Sequence, residues 1–396
     1  MKEAALNDLA MVAFASRPVA AQEGRLVVRR LALTDFRCYP ALQIEPDGRP
    51  VVLTGPNGAG KTNLLEALSF LAPGRGLRRA RLDEVDRRGG GCWAVATSLS
   101  TPAGPLDIGT GRDPEGAAGS PRRLVRIDGK PARSQADLAR QLAILWTTPE
   151  MDRLFQEGAG GRRRFLDRMV YGVDPDHSGR IAAYEHALRE RARLLRDGVQ
   201  DPVWLDTLEG AMAEKGVAIA AARRALVRRL QGALALGVGP FPRAEIALQG
   251  TVESWLDTAP ALEAEERFKG LLAGARSEDA AAGGASDGPH RSDLVVHHMD
   301  TDMPAALCST GEQKALLIAL VLAQARLLAL EHAAAPLLLL DEVAAHLDRV
   351  RRAALYEEIR SLGSQAWMTG TDEAMFESLG DQAQYFRVVG GNVVPR

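Results

Sequence analysis

Hydrophobic positions fall into three regimes along the chain. From Leu26 to Leu71 they come in short runs: two alternating stretches within "LVVRRLALTDFRCYPALQIE", the compact "VVLTG", and a helically spaced run from Lys61. That order predicts two strands, a turn, a buried strand and a helix. From Arg75 to Ile127 strand-like pieces alternate with arginines, as in a sheet subdomain. The Gly/Pro-rich stretch from Gly104 to Pro121 reads as its one mobile loop.

Between Pro149 and Gly237 the spacing becomes helical. Ile181, Tyr184, Leu188 and Leu195 form one stripe, and Leu205, Leu208, Met212, Ile219, Leu226 and Leu230 another, with "DGVQDP" (Asp197–Pro202) breaking them. A helical hairpin lobe is expected. "SEDAAAGGASDGPHR" (Ser277–Arg291) reads as a flexible return. The rest goes back to α/β: a helix over Gly311–Leu330, the strand "PLLLLDE", a helix over Asp348–Ser361 and the strand "AWMTGT". The pattern is one discontinuous domain, its two α/β halves separated by a helical insertion. The boundaries expected are a disordered extension at 1–25, an N-terminal half at 26–148, the lobe and its return at 149–290, and a C-terminal half at 291–396.

Composition adds constraints. With 396 residues, 46% hydrophobic, and a net charge of -2, the chain has no global pull toward nucleic acid or membrane, so any DNA contact must come from local patches. Three scattered cysteines, Cys38, Cys92 and Cys308, form no CxxC pair, which argues against a disulfide framework or zinc site and suits a reducing, cytoplasmic location. "LAMVAFA" (Leu9–Ala15) is too short for a secretion signal and has Glu3 and Asp8 where positive charge belongs. No segment is expected to span a membrane, because Gln324 and Arg326 interrupt "LLIALVLAQARLLAL".

The candidate chemistry begins at Gly55-Pro56-Asn57-Gly58-Ala59-Gly60-Lys61-Thr62, which matches G-x4-G-K-[ST] between a strand and a helix. Glycines let the backbone N–H groups curl toward a phosphate, and the helix N-terminus adds partial positive charge. Lys61 would reach the terminal phosphates of ATP and the Thr62 hydroxyl would take a position on Mg²⁺. "PLLLLDE" is a strand buried on both faces that ends in two carboxylates, where ligands of α/β sheets sit. Asp341 would hold Mg²⁺ through water, and Glu342 would orient and deprotonate an attacking water, Lys61 and Glu342 being the catalytic pair. A second anion corner opens the helix at "STGEQK", Ser309–Lys314.

"STGEQK", its apolar helix and "LLLLDEVAAHLD" together resemble the signature helix, Walker B strand and D-loop of ABC-type ATPases. The resemblance implies an α/β fold: an ABC-type P-loop ATPase head with an inserted helical lobe. It also implies that Ser309, Gly311 and Gln313 contact the nucleotide held by another subunit, with Asp348 crossing the dimer. "LALTDFRCYPALQIE", "GPNGAGKTNLLEALSFLAPGRGLRRA", "GRRRFLDRMV", "GPHRSDL" and "QAWMTGTD" narrow the likeness to the RecF family of bacterial recombination-mediator ATPases, from about Leu26 to the C-terminus. That family implies an ATP-dependent homodimer on single-stranded or gapped duplex DNA, partnership with RecR and RecO, indirect loading of RecA, a part in the SOS response, and weak, DNA-stimulated ATP hydrolysis. It offers Arg37 as a phosphate contact, with a surface arginine beside Phe36 as the alternative. "TTPEMDRLF" (Thr147–Phe155) holds the Q-loop place without its usual Gln, and Thr369 or Thr371 stands in for a switch histidine.

Two arginine-rich stretches are candidate DNA contacts, Gly74–Arg88 and Arg122–Arg196. The alternative is that they line solvated faces, and that Arg162–Arg164 brace the lobe by pairing with Asp167 or nearby acids. A transporter ATPase subunit and an ATP-stabilised scaffold are the rival functions.

Overall fold

The computed structural model describes residues 24–113, 122–198, 201–235, 237, 239–332 and 334–396. In chain order the strands are β1 (Val27–Phe36), β2 (Tyr39–Ile44), β3 (Val51–Thr54), β4 (Ala94–Thr101), β5 (Gly104–Asp113), β6 (Arg122–Ile127), β7 (Lys130–Pro131), β8 (Ile144–Thr147), β9 (Ala244–Gln249), β10 (Asp293–His298), β11 (Met303–Pro304), β12 (Leu337–Leu340), β13 (Ala366–Gly370), β14 (Gln384–Val389) and β15 (Asn392–Pro395). The helices are α1 (Lys61–Ser69), α2 (Ala136–Gln141), α3 (Ala159–Tyr171), α4 (His177–Arg196), α5 (Pro202–Ala235), α6 (Thr251–Thr258), α7 (Ala261–Gly274), α8 (Arg276–Ala282), α9 (Thr310–Glu331) and α10 (Arg349–Leu362).

Two compact units emerge, one of residues 1–151, 238–241 and 321–396, the other of 152–237 and 242–320. The boundary falls within α9, so the Ser309 corner groups with the helical unit.

The first unit contains two six-stranded sheets. One has the order β15-β14-β3-β13-β12-β8, parallel except for β15. Its strands VVLT, AWMTG and LLLL, and the edge strand ILWT, are buried at every position, as a parallel sheet covered on both faces requires. The other, β2-β1-β4-β5-β6-β7, is antiparallel throughout. Helix α1 packs on β1 of the antiparallel sheet and on β12 and β13 of the parallel one. Just past its C-terminus a cluster of Phe36, Phe70 and Trp93 seals the join, Phe36 standing edge-to-face to the other two rings and Phe70 tilted against Trp93, with centroids 4.6–6.1 Å apart. Arg123 of β6 donates to the carbonyls of Phe70, Ala72 and Gly74, the chain that leaves α1, and to Thr110 Oγ1. Burial without a carboxylate pulls this guanidinium down to about 9, still charged at neutral pH.

The stretch expected as a loop from Gly104 is strand β5 as far as Asp113, because its glycines lie in an antiparallel ladder with β4 and β6. Residues 114–121, and residues 1–23 of the expected extension, lie outside the described residues.

The second unit holds α3–α8 and the small sheet β11-β10-β9. The hairpin of α4 and α5 forms as the periodicity indicates, with Tyr184, Met212, Val217, Ala220, Phe268 and Leu272 in its core. The segment read as a flexible return is instead ordered. Helix α8 occupies its first part, and Asp279 is buried where it accepts from Arg191 at 2.7 Å and from the Ser286 N–H at 3.1 Å. Long-range ion pairs order a composition that looks loose. Arg191 also donates to Glu209 at 2.9 Å and to the Leu272 carbonyl at 2.6 Å.

Among the described residues, one helix, α9, is long and apolar enough to cross a membrane by length and composition, the segment read from the sequence as a buried helix. Some 78% of its apolar window is buried in protein, with Gln324 fully buried and Arg326 paired to Glu358 at 2.5 and 2.8 Å.

Arg162 pairs with Asp293 at 2.7 and 2.8 Å and Arg163 donates to the Ser292 carbonyl at 2.7 Å, so both brace the lobe, though not through Asp167. Asp167 belongs to Arg223 (2.7 and 2.8 Å) and His177 (2.9 Å). Burial alone would raise its pKa, but Arg223 and His177 outweigh it and hold the carboxyl below its ordinary value of 3.8. A depressed carboxyl contributes stability that is full above that ordinary value and lost as pH falls through the native one. Removing one partner of a buried pair strands the other, at a cost of about 3 kcal/mol or more. Asp167→Asn should therefore lower unfolding free energy by about 3 kcal/mol at neutral pH. Denaturant titration checks this, and the deficit should shrink in acid.

Candidate nucleotide site

The loop between β3 and α1 takes its shape from two glycines. Gly55 (φ 146°) lies so close to the Val388 carbonyl of β14 that a Cβ there would overlap it. At Gly60 (φ 112°) a Cβ would stand 2.6 Å from Tyr39 Oη and 2.8 Å from Cys38 Sγ. Both conformations belong to the region that L side chains avoid. Tyr39 Oη also donates to the Gly60 carbonyl at 3.1 Å, so β2 steadies the loop from outside. Lys61 is 4% exposed and its ammonium donates to the carbonyls of Gly55 (2.7 Å) and Pro56 (2.9 Å), folding back over the loop. Burial lowers its pKa, while Glu342 and Asp341 oppose that shift.

The parallel register carries the ends of β3, β13 and β12 to one edge, beside the start of α1. There Thr62 Oγ1 donates to Asp341 Oδ1 at 2.9 Å, closing a separation of 279 residues. Thr369 Oγ1 donates to the same oxygen at 2.6 Å and accepts from the Glu342 N–H at 2.8 Å. Glu342 has φ 48°, unusual for a residue with a Cβ. A hydroxyl and a carboxylate in contact, next to a buried ammonium and an acidic neighbour, form an oxygen donor set that fits Mg²⁺ and the phosphates it accompanies. Gly55 to Thr62, Asp341 and Glu342 are thus gathered in one place.

Ser309, Gly311 and Gln313 form a separate corner in the second unit. Ser309 and Glu312 make a reciprocal cap: the Ser309 N–H and Oγ donate to Glu312 Oε2 at 2.8 and 2.7 Å, and the Glu312 N–H donates weakly back at 3.4 Å. No side chain crowds Gly311, where an added Cβ would meet nothing within 4 Å. Gln313 differs from expectation. It is 1% exposed and turns inward, its Nε2 donating to the Cys308 carbonyl at 2.8 Å. It ties the helix start to the preceding turn, and its amide faces the protein. Lys314 pairs with Asp152 at 3.4 Å.

Arg37 is engaged within its own chain. It grips Glu66, wholly buried on α1, at 2.6 and 2.8 Å, and donates to the Glu84 carbonyl at 2.7 Å. Arg78 adds a third bond to Glu66 at 3.0 Å and one to Asn63 Oδ1 at 2.6 Å. The sequence reading overlooked Glu66, Arg78 and Tyr39; a carboxylate inside the apolar run "NLLEAL" was the one available signal. The Q-loop stretch forms a short 3-10 turn at Pro149–Arg153. His346 (φ 66°) bends the chain and Asp348 caps α10, accepting from the Arg351 N–H at 2.8 Å.

A model of the family described as AAA domain, putative AbiEii toxin, Type IV TA system, matches residues 51–112. The structure of the recombination mediator protein RecF with ATP in the RecFOR pathway superposes with a TM-score of 0.81 at 21% identity, covering 96% of this chain and all of that one. An Smc head domain from Pyrococcus furiosus, solved with the C-terminal domain of ScpA, gives 0.52 at 16% identity over 94% of this chain and 96% of that one. The fold is that of a P-loop ATPase head of the ABC and SMC type. DNA replication and repair protein RecF of Mesorhizobium japonicum is 52% identical over 372 residues, 93% of this chain and 97% of that protein. The chain belongs to the RecF family.

The tight approach at Gly60 gives a test. Gly60→Ala adds left-handed strain of about 1–2 kcal/mol and drives a methyl against Tyr39 and Cys38, so ATP affinity should fall about tenfold or more. Titration with a fluorescent ATP analogue measures it; unchanged affinity would contradict the close fit.

Proposed function

We propose that this protein is an ATP-gated DNA-binding protein of replication and repair, acting in the cytoplasm as a recombination mediator. The observation that carries the proposal is the convergence of Lys61, Thr62, Asp341 and Glu342 on one sheet edge in a chain of the RecF family. ATP binds along Gly55–Thr62, the loop N–H groups and Lys61 taking the phosphates. Thr62 and Asp341 would hold Mg²⁺, which would supply positive charge to offset that of the phosphates. Glu342 takes the proton of a water whose oxygen joins the γ-phosphorus as the bond to the β–γ bridging oxygen breaks.

Ser309 and the N–H groups around Gly311 serve the nucleotide of a second copy, so two heads close on two ATP molecules and grip DNA. Gln313 supports that corner from inside. Weak, DNA-stimulated hydrolysis releases the pair. Single-stranded or gapped duplex DNA is the substrate surface, RecR and RecO are the partners, and RecA loading and the SOS response lie downstream. The family membership speaks against the transporter reading.

Glu342→Gln should slow turnover about a hundredfold, the usual contribution of a general base, and accumulate an ATP-bound dimer with prolonged DNA residence. Light scattering at saturating ATP checks it; a monomer would leave only the scaffold reading. Ser309→Arg should retain ATP binding by the monomer while abolishing dimerisation and hydrolysis. Loss of ATP binding itself would show that the corner acts within its own chain.

A further inference from the structure

Of the two threonines offered for the switch position, Thr369 is the one built into the site. Thr369 is wholly buried near the end of β13, level with Leu53 of β3 and one step beyond the Leu340–Met368 pairing with β12. Its hydroxyl uses both its capacities at once. The proton goes to Asp341 Oδ1 at 2.6 Å, and a lone pair accepts the Glu342 N–H at 2.8 Å. One side chain therefore fixes the carboxylate of one residue and the backbone of the next.

That backbone needs fixing. Glu342 sits at φ 48°, where a residue with a Cβ pays a conformational penalty unless its surroundings over-determine it. The direction in which its carboxylate leaves the chain follows from that φ. Asp341 is held from two sides through the same oxygen, by Thr62 of α1 and by Thr369 of β13. Thr371, the other candidate for the switch position, lies exposed beyond the strand.

We infer that Thr369 is a positioning residue for ATP turnover: its hydroxyl sets the rotamer of Asp341 and the left-handed backbone of Glu342, and through them the aim of the Glu342 carboxylate. The inference rests on the ATPase reading above and deepens it. In this reading the Thr369 hydroxyl acts through Asp341 and Glu342, the two residues it bonds. Its substitution should therefore separate turnover from binding, because misplacing a catalytic group by a fraction of an ångström costs rate while leaving the phosphate cradle intact. A merely structural role would lower affinity and turnover together.

The experiment compares the full chain with Thr369→Val, which keeps the shape and removes the hydroxyl, and Thr369→Ser, which keeps the hydroxyl. Thr369→Val should lose turnover about tenfold or more with affinity for a fluorescent ATP analogue and ATP-dependent self-association held within about threefold, and Thr369→Ser should recover most of the rate. In the Glu342→Gln background, Thr369→Val should cost little more, because residues acting through one group are non-additive. If the valine variant fails to fold, Thr369→Ala gives the same comparison. Wild-type rates in Thr369→Val, equal losses of affinity and turnover, or a full additional penalty on top of Glu342→Gln would each overturn the inference. Wild-type protein that binds ATP without turning it over would instead overturn the ATPase reading on which it rests.

Discussion

One carboxylate oxygen joins the two ends of this chain. Asp341 Oδ1 accepts from Thr62 of the first helix and from Thr369 of a strand near the C-terminus, across 279 and 28 residues respectively. The contact is possible because the parallel sheet interleaves early and late segments: β3 lies between β14 and β13, and β12 between β13 and β8. Neither end of the chain can complete that sheet alone. A long insertion between them is tolerable, since closing a longer loop adds little entropy once the sheet fixes its ends. Loop, hydroxyl and acid then meet at the sheet's edge as a consequence of strand register.

Arginine does much of the internal bracing. Arg37 and Arg78 converge on buried Glu66, Arg123 holds carbonyls beyond α1, Arg191 links Glu209 to Asp279, and Arg223 holds Asp167. A planar guanidinium with several donors can satisfy carboxylates and carbonyls together, which suits it to these buried junctions. The arginine surplus between residues 122 and 196 therefore overstates the charge available to a polyanion. Arg123, Arg162 and Arg191 are turned to internal partners.

Legibility in the sequence followed the range of the interaction. The phosphate loop, its strand and helix, the "LLLLDE" strand and the helical hairpin are written in local spacing, and they stand where the pattern put them. The inward turn of Gln313, the grip of Arg37 on Glu66 and the two hydrogen bonds of the Thr369 hydroxyl depend on which segments become neighbours, and local pattern carries no such information. The same reason explains the segment after Ser277. Its small residues read as loose, yet Asp279 finds Arg191 eighty-eight positions away and is buried by it. Gly104–Asp113 was misread for a related cause: glycines weaken a strand's intrinsic preference, and ladder partners on both sides override it.

In the proposed function a single protomer does not assemble a complete catalytic pocket, because the Ser309 corner serves a neighbour's nucleotide. ATP turnover per protomer measured over a wide dilution series, with mass followed by sedimentation at each concentration, tests it most directly. The account requires turnover per protomer to rise with concentration in step with the dimer fraction and to vanish as the protein dissociates. Constant turnover per protomer in a solution of monomers would contradict it.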